Sequence, residues 1–217
     1  MTVTSALLSF AVVAGLLTVV PGLDTALVLR SALTQSRTVA FATALGIGSG
    51  SLTWGAASAV GVSALLLASG GAFTVLRIVG AGYLLWTGVS LWRCRPAPDA
   101  DDAEARGADA VGADAGADPS VVGAWRRGLL TNLLNPKVGA FYVVMIPQFL
   151  PAGAPHLAMG LALAGVHVAE GTAWFALLIL LASSFRRWLT GERVRRGIDR
   201  ATGTVLIALT PVVIMHG

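Results

Sequence analysis

Residues 17–29 read Leu-Thr-Val-Val-Pro-Gly-Leu-Asp-Thr-Ala-Leu-Val-Leu. One carboxylate, Asp24, stands in an otherwise apolar run, three positions after a proline. An ionisable group is expensive to hold in hydrocarbon, so a carboxylate kept there marks a functional site. Pro21 removes a backbone donor and clashes with the preceding turn. Gly22 opens dihedrals closed to other residues. Together they break a helix and free backbone polar groups. At membrane depth such groups are tolerated only against protein or a water-filled cavity. The plainer alternative is a proline kink, with Asp24 snorkelling or paired to a structural arginine.

The rest of the chain supplies the apolar setting. Of its 217 residues 55% are hydrophobic and only 12% are charged, with a mean hydropathy of +0.77. A soluble domain carries roughly twice that charged fraction. Several stretches approach the ~20 apolar residues that cross a bilayer. The fold class is therefore an all-α membrane protein. Six spans are expected, near 5–29, 39–67, 73–92, 122–150, 157–185 and 198–215. The first is read as a retained span, because no Lys or Arg precedes Arg30 to form the basic start of a signal peptide.

Lys and Arg gather in the odd-numbered connections, including Arg30 and Arg37, Arg126 and Arg127, and Arg186 and Arg187. The positive-inside bias places these connections in the cytoplasm and both termini outside. Topology alone then explains the net charge of +4, and no nucleic-acid partner is expected. Residues 96–120 hold seven acids and one arginine among Ala and Gly. They cannot bury enough apolar area to order themselves. They read as an acidic, disordered cytoplasmic linker between a first half, 1–95, and a second half, 121–217.

A second helix breaker, Asn135-Pro136-Lys137, sits about 15 residues into the fourth span, much as Pro21 sits about 16 into the first. Each half is thus one broken span plus two others. An odd number of spans per half forces opposite orientations, the inverted-repeat plan of many secondary transporters. The fold expectation is two inverted three-helix repeats with helices 1 and 4 broken. Asn132 and Asn135, three apart, can share a face and bind a carboxylate or unwound backbone. Lys137 lies either inside the span, paired with an acid, or at its boundary if 122–134 rests on the interface.

Glu170 is the other carboxylate inside a long apolar segment, and it can carry a proton or bind an amine. His167, three residues earlier, can share its face and relay a proton; the alternative is a hydrogen-bonded helix contact. Two small-residue stripes, Ala42/Gly46/Gly50 and Gly165/Ala169/Ala173, suit close helix packing. Ser49 and Ser51 read as helix hydrogen-bonding residues. The single cysteine, Cys94, excludes an internal disulfide and a multi-thiol metal site. No GxSxG, HExxH, Walker or CxxC motif occurs. Neither an enzyme nor a cofactor is expected.

Several stretches in this order resemble the LysE/RhtB amino-acid exporters: Pro21-Gly22-Leu23-Asp24-Thr25, Ala44-Leu45-Gly46-Ile47 through Trp54, 80–88, 127–137 and Pro147-Gln148-Phe149. The resemblance covers nearly all the chain except the acidic linker. It implies a bacterial inner-membrane, multi-pass exporter of amino acids or derivatives, driven by the proton-motive force. Two departures stand out: Leu23 replaces the second proline of the usual triplet, and Ser51 lies where many members carry an acid.

The site expected from the sequence has Asp24, Asn132, Asn135 and Lys137 binding substrate. Pro21, Gly22 and Pro136 form the helix breaks, and Glu170 with His167 couples protons. Partners are a small-molecule amino acid, protons and membrane lipid, with a homo-oligomer left open. Export of a divalent cation and a non-transporting membrane scaffold are the alternatives.

Overall fold

The computed structural model describes residues 1–20, 22–68 and 120–182, with scattered positions in 71–92 and 197–207. Pro21, the acidic linker, and most of the third and sixth expected spans fall outside the described residues.

Among the described residues the structure is helical. Helix α1 spans Val3–Val19, started by Thr2, whose side chain accepts from the Ser5 amide. It ends where Val20 turns extended. Gly22, also extended, caps the start of α2, Leu23–Thr34. The two helices meet at a bend of 55°. Ser36 Oγ accepts from the Val39 amide and so caps α3, the unbroken Arg37–Ala68. At ~1.5 Å per residue α3 is about 48 Å long, more than the ~30 Å hydrocarbon core.

The second half repeats the device. Helix α4 covers Val121–Leu134 behind a Ser120 cap, and α5 covers Pro136–Met145. Asn135 separates them. Its backbone is extended and its side chain accepts from the Lys137 amide at 3.1 Å. Pro136 takes the first helical position, where its missing N–H costs nothing to the helix it begins. A 3-10 turn, Ile146–Phe149, continues α5. The α4–α5 bend is 61°. After a turn with Gly153 at φ +80° and Ala154 N–H bonded to Pro151 O, α6 runs His156–Leu180.

Among the described residues, α6 is the one helix long and apolar enough by itself to cross a bilayer, and so is each bent pair counted as one span. Helices 1 and 4 of the sequence expectation are thus both broken. The outward side of α1 is itself apolar, with Leu8 and Val12 each 65% exposed. A helix that is apolar on its outer face as well suits lipid.

Two hydrophobic clusters hold the helices together. Phe10, Phe141, Met145 and Leu163 join α1, α5 and the first half of α6. Phe10 packs on Phe141 and Phe149, with ring centroids 5.8 and 5.4 Å apart. Val28, Ala44, Ile47, Phe175 and Leu178 join α2, α3 and the second half of α6.

Helices α3 and α4 pack backbone to backbone. A Cβ on Gly46 would collide with the Trp125 carbonyl, and one on Gly128 with the Thr43 carbonyl. The Ala42/Gly46/Gly50 stripe therefore serves close packing. The second stripe does not. Ala169 and Ala173 are exposed, and a Cβ on Gly165 would meet nothing within 4 Å. The interior face of α6 lies elsewhere, along Ala164, Phe175 and Leu178.

Candidate functional site

The two helix breaks face one another across a cavity of about 620 Å³, its mouth included. The first break contributes Thr18, Gly22, Asp24 and Thr25; the second contributes Asn132, Asn135, Lys137 and Val138. Helix α3 adds Ala44, Ile47 and Ser51, and α6 adds His167, Gly171 and Phe175.

Asp24 lies in the first turn of α2, where the helix dipole favours a negative charge. Its Oδ2 accepts from Asn132 Nδ2 at 2.8 Å. The Asn135 amide and the Lys137 ammonium also act on this carboxylate. Asp24 Oδ1 and Asn132 Oδ1 are both buried with no hydrogen-bond donor. Buried polar atoms are nearly always satisfied, so two open acceptors on bonded partners need explaining. A cationic N–H donor would suit both.

Lys137 reaches across from the second break. Its Nζ lies 3.8 Å from where a Cβ on Gly22 would stand. The second break thus sends its cation to the first break. The cavity carries one carboxylate and one ammonium, with amides between them.

Asn132 is held from behind. In an unbroken helix its carbonyl would bond the N–H of residue 136, which proline lacks. The Trp54 indole N–H donates to that carbonyl instead, at 3.4 Å, along with the Asn135 amide at 3.1 Å. A Cβ on Gly50 would stand 2.6 Å from Asn132 Oδ1, and one on Gly139 would stand 2.8 Å from the Trp54 ring. Both glycines make room for this arrangement.

His167 reaches the cavity wall, with Nδ1 2.9 Å from the Tyr142 hydroxyl. Its ring packs against Phe141 and Tyr142 at 5.5 and 5.6 Å. Glu170 goes elsewhere. It is not among the cavity residues; its carboxylate packs over Gly15 of α1, 3.5–3.7 Å from where a Cβ there would be. Its Oε2 is buried and unpartnered. His167 and Glu170 therefore face different neighbours despite their spacing.

The structure thus brings together Asp24, Asn132, Asn135, Lys137 and Gly22, with Pro136 at the second break, and sets Glu170 apart. Sequence reasoning assigned no role to Trp54, Tyr142 or Gly171, gave Gly50 only a packing role, and gave Ser51 only a helix bond. Among the described residues no three His, Cys, Asp or Glu side chains come together.

A charged cavity between two broken apolar helices is the architecture of a membrane transporter. The family description "LysE type translocator" matches residues 15–217, and the chain belongs to that family. It is a multi-pass membrane transporter of the exporter type. It is similar to an uncharacterized membrane protein, YrhP, of Bacillus subtilis: 24% identity over 93% of this chain and 94% of the relative. A homoserine/homoserine lactone efflux protein of Salmonella typhimurium is 26% identical over 68% of this chain and 66% of its own length. The uncharacterized membrane protein PA4757 of Pseudomonas aeruginosa is 28% identical over 86% and 84%. No solved structure matches the chain.

Proposed function

We propose that this protein exports amino acids or close derivatives across the bacterial inner membrane by alternating access. One observation carries the reading: Asp24 and Lys137, from the two separate breaks, present opposite charges to one small cavity. A zwitterion matches that pair. Its ammonium would meet Asp24 and the open Asn132 oxygen, and its carboxylate would meet Lys137 and the Asn135 amide. The homoserine efflux relatives, matched over part of their length, support the same substrate class.

The similar bends, 55° and 61°, support two inverted three-span halves whose broken helices move against each other. Glu170, next in sequence to the cavity residue Gly171 on α6, is the proposed proton carrier, with His167 on the cavity wall. The proton site and the substrate site are then separate carboxylates on adjoining surfaces. Proton-driven export needs no cofactor and leaves oligomeric state open.

The test loads expressing cells with a panel of dipeptides and measures which amino acids accumulate outside. Selective efflux that Asp24→Asn abolishes at equal expression is the expected result. An absence of efflux across the panel from well-expressed protein would sink the reading and turn attention to divalent cations.

A further inference from the structure

We propose that Gly171 sets which substrates fit, by leaving the space in which the substrate's side chain sits. This rests on the amino-acid reading above and deepens it.

The interior face of α6 makes close contacts near its start and opens onto the cavity around Gly171. At about 100° per residue, Gly171 lies within about 40° of Ala164 and Phe175, both buried. It therefore points into the protein. Towards the start of α6, small residues let α3 and α6 touch. A Cβ on Gly160 would clash with Ala59, and one on Gly55 with Ala164. One on Gly48 would stand 3.2 Å from Val168. One turn further on the contact ends: a Cβ on Gly171 would meet nothing within 4 Å, although Gly171 lines the cavity. His167 and Phe175, one turn to either side along the same face, line the cavity too. The gap is a slot between two rings, in the cavity that holds Asp24 and Lys137.

Besides the charged groups and the hydroxyls of Thr25, Ser51 and Thr172, the cavity lining is apolar at Ala44, Ile47, Val168 and Phe175. A substrate fixed by its ammonium and carboxylate would direct an uncharged side chain there. Adding carbon at 171 shortens the slot without disturbing packing, because no atom stands in its way. Single methylenes in apolar pockets shift selectivity by about tenfold or more.

The test is efflux from cells loaded with two dipeptides, one releasing alanine and one releasing leucine. Wild type, Gly171→Ala and Gly171→Val are compared at equal membrane expression. Gly165→Ala is the matched control: a Cβ there also meets nothing within 4 Å, but it lies outside the cavity, about 120° around α6. The expected result is a leucine-to-alanine ratio that falls progressively from wild type to Ala to Val, by about tenfold in all. Gly165→Ala keeps the wild-type ratio. Wild-type export with an unchanged ratio in both Gly171 variants overturns this inference alone. No export of either amino acid, or of any other in the panel, by wild type overturns the amino-acid reading and this inference with it.

Discussion

Asn132 donates its side-chain amide to Asp24 at 2.8 Å, tying together two helix breaks 108 positions apart in the chain. This bond fixes the distance between the halves at the site. It also leaves one oxygen of each residue open. A hydrogen bond to a charged group contributes about 1.5–3 kcal/mol. Asn132→Ala is therefore expected to lower efflux about tenfold or more, and Asp24→Asn at least as much. The double variant should be little worse than either single one, because the pair acts as a unit. Initial efflux rates from the four proteins give the coupling directly, and full additivity would break the proposed pairing.

Close packing of α3 on α4 makes a separate prediction about stability. Gly46→Ala drives a methyl group into the Trp125 carbonyl, where backbone rather than a flexible side chain stands in the way. Overpacking typically costs about 1–3 kcal/mol. Thermal unfolding in detergent, followed by fluorescence-detected size exclusion, should show a lower midpoint and less monodisperse protein. Gly165→Ala in α6 meets nothing and should match wild type or exceed it.

Much of the site was legible in the sequence, for a simple reason. Charge in an apolar segment and proline in a helix are conspicuous to one-dimensional reading. Asp24, Pro136 and Lys137 are of that kind, and the structure brings Asp24 and Lys137 to one cavity with Pro136 at the second break. Trp54 is not: an aromatic residue in a span looks like ordinary core. Its role comes from the Asn132 carbonyl 78 positions away, and only tertiary structure sets that contact. The spacing of His167 and Glu170 was misleading in a different way. Residues three apart share a side of a helix, but α6 has neighbours on more than one side. His167 meets Tyr142, while Glu170 meets Gly15. Likewise the Gly165 stripe has the right composition for packing and lies on the wrong side of the helix.

Trp54 can be tested as a positioning residue. Trp54→Phe keeps a ring against Gly139 but removes the N–H that the Asn132 carbonyl uses. At 3.4 Å the bond is long, so the loss should fall at the low end of about 0.5–1.5 kcal/mol. The expected result is a KM raised by a few-fold, with little change in kcat or in the thermal midpoint. Trp54→Ala would instead leave a cavity, costing about 3–5 kcal/mol, and should lower the midpoint plainly. Equal effects of the two variants on the midpoint would assign Trp54 to packing alone.

Glu170 stands outside the substrate cavity, so its removal should separate coupling from binding. Glu170→Gln keeps the shape of the side chain over Gly15 and removes the carboxyl proposed to exchange a proton. In proteoliposomes, wild-type efflux should rise with an imposed pH gradient, whereas Glu170→Gln should show the same rate with and without the gradient. Substrate exchange at equal pH should persist in the variant. A variant that still accelerates with the gradient would remove Glu170 from the coupling step.

Lys137 offers the sharpest reading of substrate polarity, because its charge comes from the break opposite Asp24. The ammonium lies against Gly22 and acts on Asp24, so its removal has two consequences of opposite sign. A substrate carboxylate loses its cationic partner, which weakens a zwitterion. Asp24 loses a competing cation, which strengthens an amine that lacks a carboxylate. Lys137→Gln should therefore raise the KM for an amino acid about tenfold, the cost of a charge-assisted bond. For the matching amine, or for an amino-acid amide, the KM should stay level or fall. Inhibition of amino-acid efflux by the two analogues, measured in wild type and in Lys137→Gln, gives both signs in one experiment. If zwitterion and amine weaken together, Lys137 supports the shape of the site and does not recognise the carboxylate.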